Sequence, residues 1–353
     1  MKESKLHAGK VVLWVLIILL AVVLVFAGVY WSRINQMVTH DVQIIERTPS
    51  PVATADTTPD TLEEIAGTPE DIGVDYEVAV EETEESPIYR QVPINEDIIN
   101  ILLLGQDARP GELRSRSDTM MLMSYDRAGN KATLVSLLRD CWVHIEGHGW
   151  NRLNAAYSFG GIGLLINTIN DTFHIDVQNY IIVGFNEFEK VIDAFGGLQV
   201  NLNKAEAAYI NELSADTLEE KDGVQQLNGA QTLIHARNRH AGGSGDFERT
   251  RRQREILLAF YQKLKSEGDL TKFPQLLSFV LGNVQINMDP NEIFTLATEA
   301  LGNSALQIGQ GIMPFDGTWK YANKDGRSVI SIDSEKNAQK LQELLYAKDI
   351  PTE

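Results

Sequence analysis

The chain has one cysteine, Cys141, so it has no internal disulfide, and a cysteine-built zinc site is excluded. Basic residues are scarce: 31 Lys and Arg face 49 Asp and Glu, a formal net charge of -18. That balance argues against binding driven by neutralising nucleic-acid phosphates, and no nucleic-acid partner is expected. Histidines His144 and His148 are four apart, but Gly147 and Gly149 argue against the helix that would turn both onto one metal. Cys141 lacks an identifiable base partner and reads as a packed thiol. No internal repeat is visible.

One stretch lacks charge altogether. Val11 to Trp31 holds no charged residue and would span about 31 Å as a helix, close to the hydrocarbon thickness of a bilayer. Lys2, Lys5 and Lys10 precede it, which places residues 1–10 in the cytoplasm, makes 11–31 a transmembrane anchor and puts the rest outside the cell membrane. A cleaved signal peptide, the competing reading, needs a shorter apolar region and a small-residue cleavage site. The acidity is concentrated just beyond. Residues 41–90 carry fourteen Asp or Glu against two Arg. Residues 32–95, rich in Thr, Pro and acids, therefore read as a disordered linker held extended by like charge.

From there apolar patterning takes over, and 43% apolar residues suffice for a real core. Ile98 to Leu104, Thr119 to Tyr125 and Lys131 to Leu138 read as strands, the last two joined by the turn Asp126 to Asn130. Helices are expected at 154–159, 163–173, 185–195, 228–236, 247–265, 290–301 and 334–347, with strands at 180–183, 198–202 and 328–332. This alternation predicts an α/β fold, a mixed central β-sheet flanked by helices on both faces.

The short turn makes the second and third strands antiparallel, and if the first pairs antiparallel with either neighbour across the 105–117 loop, three strand ends come to one rim. Asp107, Arg109, Arg116, Asp118, Arg139 and Asp140 would then meet, either as a phosphate and cation site or as salt bridges capping strand ends. The second concentration of charge is Arg237 to Arg254, with six arginines and no lysine. Helix N-termini disfavour cations, so arginines crowded there fit either an adjacent anion, phosphate above all given the guanidinium fork, or a solvated basic patch. Arg237 and Arg239 are two apart and would point together in an extended segment. Arg249, Gln253, Ile256 and Phe260 share one helical stripe, with Arg252 and Leu257 beside it.

NILLLGQDAR, RSDTMMLMSYD, VSLLRDCWV, NRLNAAYSFGG, ARNRH and GDFERTRRQ, in this order over about residues 95–265, resemble the LytR-CpsA-Psr family. The resemblance implies a catalytic domain over 96–265, with 266–353 an α/β extension packed on it. It implies a phosphotransferase, working outside the membrane, that moves a glycopolymer from a polyprenyl-pyrophosphate carrier to a peptidoglycan acceptor through a phosphodiester bond. Matched motif by motif, Asp107 and Asp118 correspond to acids that hold magnesium or manganese. Arg116, Arg139, Arg237, Arg239, Arg249 and Gln253 correspond to pyrophosphate contacts, with Arg116 and Arg139 also catalytic. Arg152, at a position where lysine is frequent, is counted as a further pyrophosphate contact, and Gln106 and Cys141 stand where small hydroxyl residues are. Either aspartate could be the general base. A carrier-binding regulator or a pyrophosphatase would use the same pocket. The polyprenyl chain calls for an apolar channel, for which 162–169, 181–195 and 256–264 supply lining.

Overall fold

In the computed structural model, residues 44–46, 86–90, 94–106, 117–243, 245–266 and 273–346 are described; for 44–46, Arg90, Asp118 and 273–276 only the backbone is. The expected anchor at 11–31 lies outside them. Among the described residues no helix is long and apolar enough to cross a membrane.

The central sheet has six strands in the order β11-β8-β3-β4-β5-β12. These are β3 (Ile98–Gln106), β4 (Ser117–Asp126), β5 (Lys131–Leu137), β8 (Asn179–Gly184), β11 (Gln285–Ile286) and β12 (Gln307–Met313). β3 and β5 both run antiparallel to β4, while β8 is parallel to β3 and β12 parallel to β5. Gln106 pairs with Ser117 across a bulge at the end of β3, so the strand ends do converge on one rim. The sheet is mixed, as the sequence pattern requires.

Both faces of these strands are apolar because both are covered. Leu102, Leu122, Val135 and Leu137 face helix α1 (Leu153–Phe173) in a core that also takes in Leu341 and Leu345 of α8 (Ser334–Tyr346). α1 leaves helical geometry at Gly160 and Gly161, where the sequence already placed a break. Residues 162–169 sit in this rear core and do not line the channel assigned to them.

Over the other face lie α2 (Phe185–Ala194), α5 (Gly245–Ser266), α6 (Phe273–Leu281) and α7 (Pro290–Gly302), which close the cavity described below. Beside them, α3 (Lys204–Leu213) and α4 (Gly229–Arg237) pack with the hairpin of β9 (Leu198–Leu202) and β10 (Gly223–Leu227) around Val200, Ile210 and Ile256. A second sheet, β13-β14-β6-β7, combines β6 (Cys141–Ile145) and β7 (Gly149–Arg152) with β13 (Trp319–Lys324) and β14 (Arg327–Ile332).

Two boundaries differ from the sequence reading. Part of the region expected to be disordered is ordered: β2 (Ile88–Arg90) pairs with β1 (Ile44–Glu46), and Ile88 is fully buried in the main core. Asn167 holds this segment from both sides, accepting from Tyr89 N at 2.9 Å and donating to Pro87 O at 2.8 Å. One buried apolar side chain anchors a stretch that composition marks as solvated. The C-terminal extension is likewise integral to the sheet, since β12 supplies a full edge strand.

The close approach of residues 86–87 depends on Gly163, where a Cβ would lie 1.8 Å from Ser86 O. Gly163→Ala should therefore expel the segment and cost about 2–3 kcal/mol, read as a lower thermal midpoint and new protease cleavage near residue 88. An unchanged midpoint would contradict this packing.

Candidate functional site

On the open face of the sheet lies a cavity of about 740 Å³. Its floor is the strand face bearing Ile101, Leu103, Met121, Met123 and Leu134, and its walls are the apolar sides of α2, α5, α6 and α7. From Thr119 to Tyr125 along β4 it runs roughly 20 Å at the rise of a strand. Methionines in the floor suit a flexible apolar occupant, because their unbranched chains repack easily. Segments 181–195 and 256–264 line it as expected, through residues such as Val183, Phe188, Leu257 and Phe260. The sequence reading missed the wall from 277–301, including Leu281, Ile293 and Leu301.

One end of the cavity is cationic. Arg237, Arg239, Arg249 and Gln253 line it beside Gly105 and Thr119 at the strand rim. The α5 stripe read from sequence thus presents Arg249 and Gln253 at its N-terminal end and apolar residues along the rest. Arg237 ends α4, its guanidinium 4.6 Å from the centre of the Phe185 ring. Gln253 Nε2 donates to Ala236 O at 3.2 Å.

Asp246, in the first turn of α5, ties the arginines together. Its carboxylate lies 3.2 Å from Arg139 Nε, 3.3 Å from Arg249 Nη2 and 3.5 Å from Arg239 Nε. These three come from the end of β5, the helix face and the loop after α4. Burial pushes the Asp246 carboxyl up from its ordinary range, while Arg139 and Arg239 pull it down. Asp140 extends the network, 3.7 Å from Arg139 Nε and 3.0 Å from Arg152 Nη1. Arg152 therefore joins the site through Asp140 rather than at the cavity wall.

The expected site residues fall into three groups. Arg139, Arg237, Arg239, Arg249 and Gln253 are brought together. Asp118 has its backbone at the rim, in β4 next to Ser117. Asp107, Arg109 and Arg116 lie outside the described residues. Asp246 was missed, although its i,i+3 spacing to Arg249 is visible in sequence. The other three arginines of the 237–254 run are structural: Arg251 pairs with Glu248 and Glu255, Arg254 donates to Ser136 Oγ at 2.6 Å, and Arg252 is fully buried. Among the described residues no cluster of three or more His, Cys, Asp or Glu could hold a metal. Asp246 and Asp140 fit a cation poorly, being ringed by guanidinium groups. Cys141 is buried, and burial pushes its thiol up, as suits a packed side chain. His144 packs against Trp150 and His148 stacks on Phe159 at 4.5 Å.

Residues 70–345 match the model of the LytR_cpsA_psr family. The polyisoprenyl-teichoic acid–peptidoglycan teichoic acid transferase TagU of Oceanobacillus iheyensis is 34% identical over 268 residues, 70% of this chain and 81% of TagU. Regulatory protein MsrR of Staphylococcus aureus is 29% identical, over 71% of this chain and 75% of MsrR. A structure of Bacillus subtilis YwtF (TagT) with bound octaprenyl pyrophosphate lipid has the same fold, with a TM-score of 0.57 and 22% identity over 73% of this chain and 93% of that one.

Asp246→Asn leaves three guanidinium groups without their shared counter-charge and should cost about 2 kcal/mol, or some 4–8 °C in melting temperature for a domain of this size. Millimolar inorganic pyrophosphate should restore most of that loss, because an anion then takes the carboxylate's place; no recovery would mean the arginines do not receive anions there. A second expectation concerns acid. Burial pushes His235, fully buried beside Glu206, down to about 4 from an ordinary 6.5. Between these values the unfolded chain binds a proton that the folded one refuses, so stability falls as pH drops from 6.5 toward 4. His235→Phe should flatten that part of the profile in urea titrations at pH 7 and 5, and an equal slope in both proteins would rule His235 out.

Proposed function

The chain belongs to the LytR-CpsA-Psr family, and from that premise we propose that it transfers a cell-wall glycopolymer from a polyprenyl-pyrophosphate carrier to peptidoglycan. The observation that carries this reading is a long apolar cavity with an arginine-ringed end. A polyprenyl pyrophosphate has the same two parts, an oily tail and a diphosphate head. TagT, of the same fold, is known with octaprenyl pyrophosphate bound, and TagU carries a teichoic acid transferase name.

The chemistry needs no protein nucleophile. A hydroxyl of peptidoglycan attacks the phosphorus that bears the sugar, forming a phosphodiester. The bond from that phosphorus to the oxygen of the lipid phosphate breaks, and polyprenyl phosphate departs with the bonding electron pair. Arg139, Arg237, Arg239, Arg249 and Gln253 hold the diphosphate and neutralise charge as it shifts to the leaving group, with Arg116 joining them by motif match. Arg152 steadies Arg139 through Asp140. Asp107 or Asp118 takes the proton of the attacking hydroxyl. The same two aspartates are hard oxygen donors suited to magnesium, or manganese in its place, which when bound adds positive charge beside the phosphates. Asp246 keeps three arginines converged before the donor arrives.

The anchor at 11–31 fits this role, because it would tether the domain to the membrane from which the carrier's tail is drawn, with the chain after residue 32 outside the cell. The name of MsrR supports a second reading, a regulator that binds the carrier without turning it over. Binding needs the arginines; transfer needs the aspartates as well.

Asp107→Ala and Asp118→Ala should each lower transfer at least about 100-fold while the carrier stays bound, and Arg239→Ala should weaken both. The assay is transfer of labelled donor to peptidoglycan, with products followed with and without acceptor. Undiminished transfer in both aspartate variants contradicts the mechanism. Carrier cleavage that ignores the acceptor makes the protein a pyrophosphatase, and binding without turnover makes it a regulator.

A further inference from the structure

Arg252 lies among the arginines of α5 yet is fully buried, with no side-chain exposure for a ligand. All of its guanidinium nitrogens are engaged. Nε donates to Glu206 Oε1 at 2.7 Å, Nη1 to Asn238 O at 2.9 Å, and Nη2 to Ala241 O at 2.7 Å and Gly243 O at 3.0 Å. Three of these four acceptors are carbonyls of one short loop, which leaves α4 after Arg237 and re-enters helix at Gly245. Arg239 stands in this loop, and Asp246, which receives Arg239, directly follows it.

We infer that Arg252 and Glu206 are positioning residues that fix the 238–243 loop so that Arg239 faces the pyrophosphate. This rests on the donor site proposed above. Left to itself the loop would be loose: Gly242, Gly243 and Gly245 all have positive φ, backbone states that glycine reaches but does not hold. Arg252 holds the loop from inside at Asn238, Ala241 and Gly243, as a rigid fork with enough donors for three carbonyls and one carboxylate. Asn238 completes the frame, accepting from His240 N and Ala241 N at 2.9 Å. Glu206 is itself fixed, because it forms the capping box of α3 with Asn203. The loop packs against that same cap: a Cβ on Gly242 would come within 2.4 Å of Asn203 Nδ2 and 2.6 Å of Glu206 Cγ. One buried ion pair therefore joins the start of α3, the second turn of α5 and the arginine-bearing loop. Lysine at 252 would keep the charge but give up the planar fork, so the pair could survive while the loop is released.

The test uses the full chain in detergent micelles with inorganic pyrophosphate as probe. Hydrogen exchange over 238–243 and pyrophosphate affinity are measured for Arg252→Lys and for the milder Glu206→Gln, each alone and combined with Arg239→Ala, well below each protein's melting temperature. Faster exchange confined to the loop is expected, with about tenfold weaker binding when Arg239 is present and less than about threefold further loss when it is absent. Unchanged loop exchange overturns the inference. So does an equal tenfold loss in both backgrounds, because Arg252 would then act other than through Arg239. If the unaltered protein fails to bind pyrophosphate, the donor-site reading falls, and loop exchange still decides whether Arg252 orders the loop.

Discussion

Everything at this site depends on Asp246 drawing Arg139, Arg239 and Arg249 to one point. Guanidinium groups at such spacing repel one another, and desolvation sharpens the repulsion. The three arginines belong to the end of a strand, a glycine-rich loop and a helix. Without a shared anion each would be better placed apart, in water. A carboxylate largely withdrawn from solvent holds them in place, and burial makes that carboxylate uneasy as a charge. On the proposed function, a ligand that brings its own negative charge would take over the arginines that Asp246 now holds.

The second constraint is the sheet. β3, β4 and β5 are apolar on both faces, so one face builds the main core with α1 while the other floors a cavity. The same strands end at the rim where charge gathers. An amphiphile laid along the sheet therefore meets hydrocarbon-like walls first and arginines at the end. The C-terminal helices complete this design. Without α6 and α7 the floor would be an exposed apolar sheet face, an unstable surface for a protein in water.

Sequence reading went far where local physics decides. The glycine pair at 160–161 breaks α1 because helical continuity fails there, and the stripe Arg249, Gln253, Ile256, Phe260 follows from helical periodicity alone. The antiparallel pairing of β4 and β5 follows from the short turn between them, and the convergence of the rim then needed only β3 to pair antiparallel with β4, as it does. What escaped notice was set by partners distant in sequence. β12 carries two glycines and two glutamines, so its strand character comes from pairing with β5. The order of residues 86–90 hangs on Ile88 and Asn167, which nothing nearby announces. Arg252 and Arg249 look alike in the motif, yet one is a buried strut and the other lines the cavity, and only the helix's rotation against α3 separates them. Asp246 looked like an ordinary first-turn acid because two of its three partners lie on other elements.

The central claim is that an apolar cavity and an arginine cluster together form the seat of one amphiphilic anion. Mass spectrometry of lipid extracted from the purified full chain tests this most directly. The account predicts a polyprenyl phosphate or pyrophosphate in the extract, and its loss when Arg139 and Arg239 are both replaced by alanine. A cavity that yields only neutral lipid, in equal amount from both proteins, would contradict it.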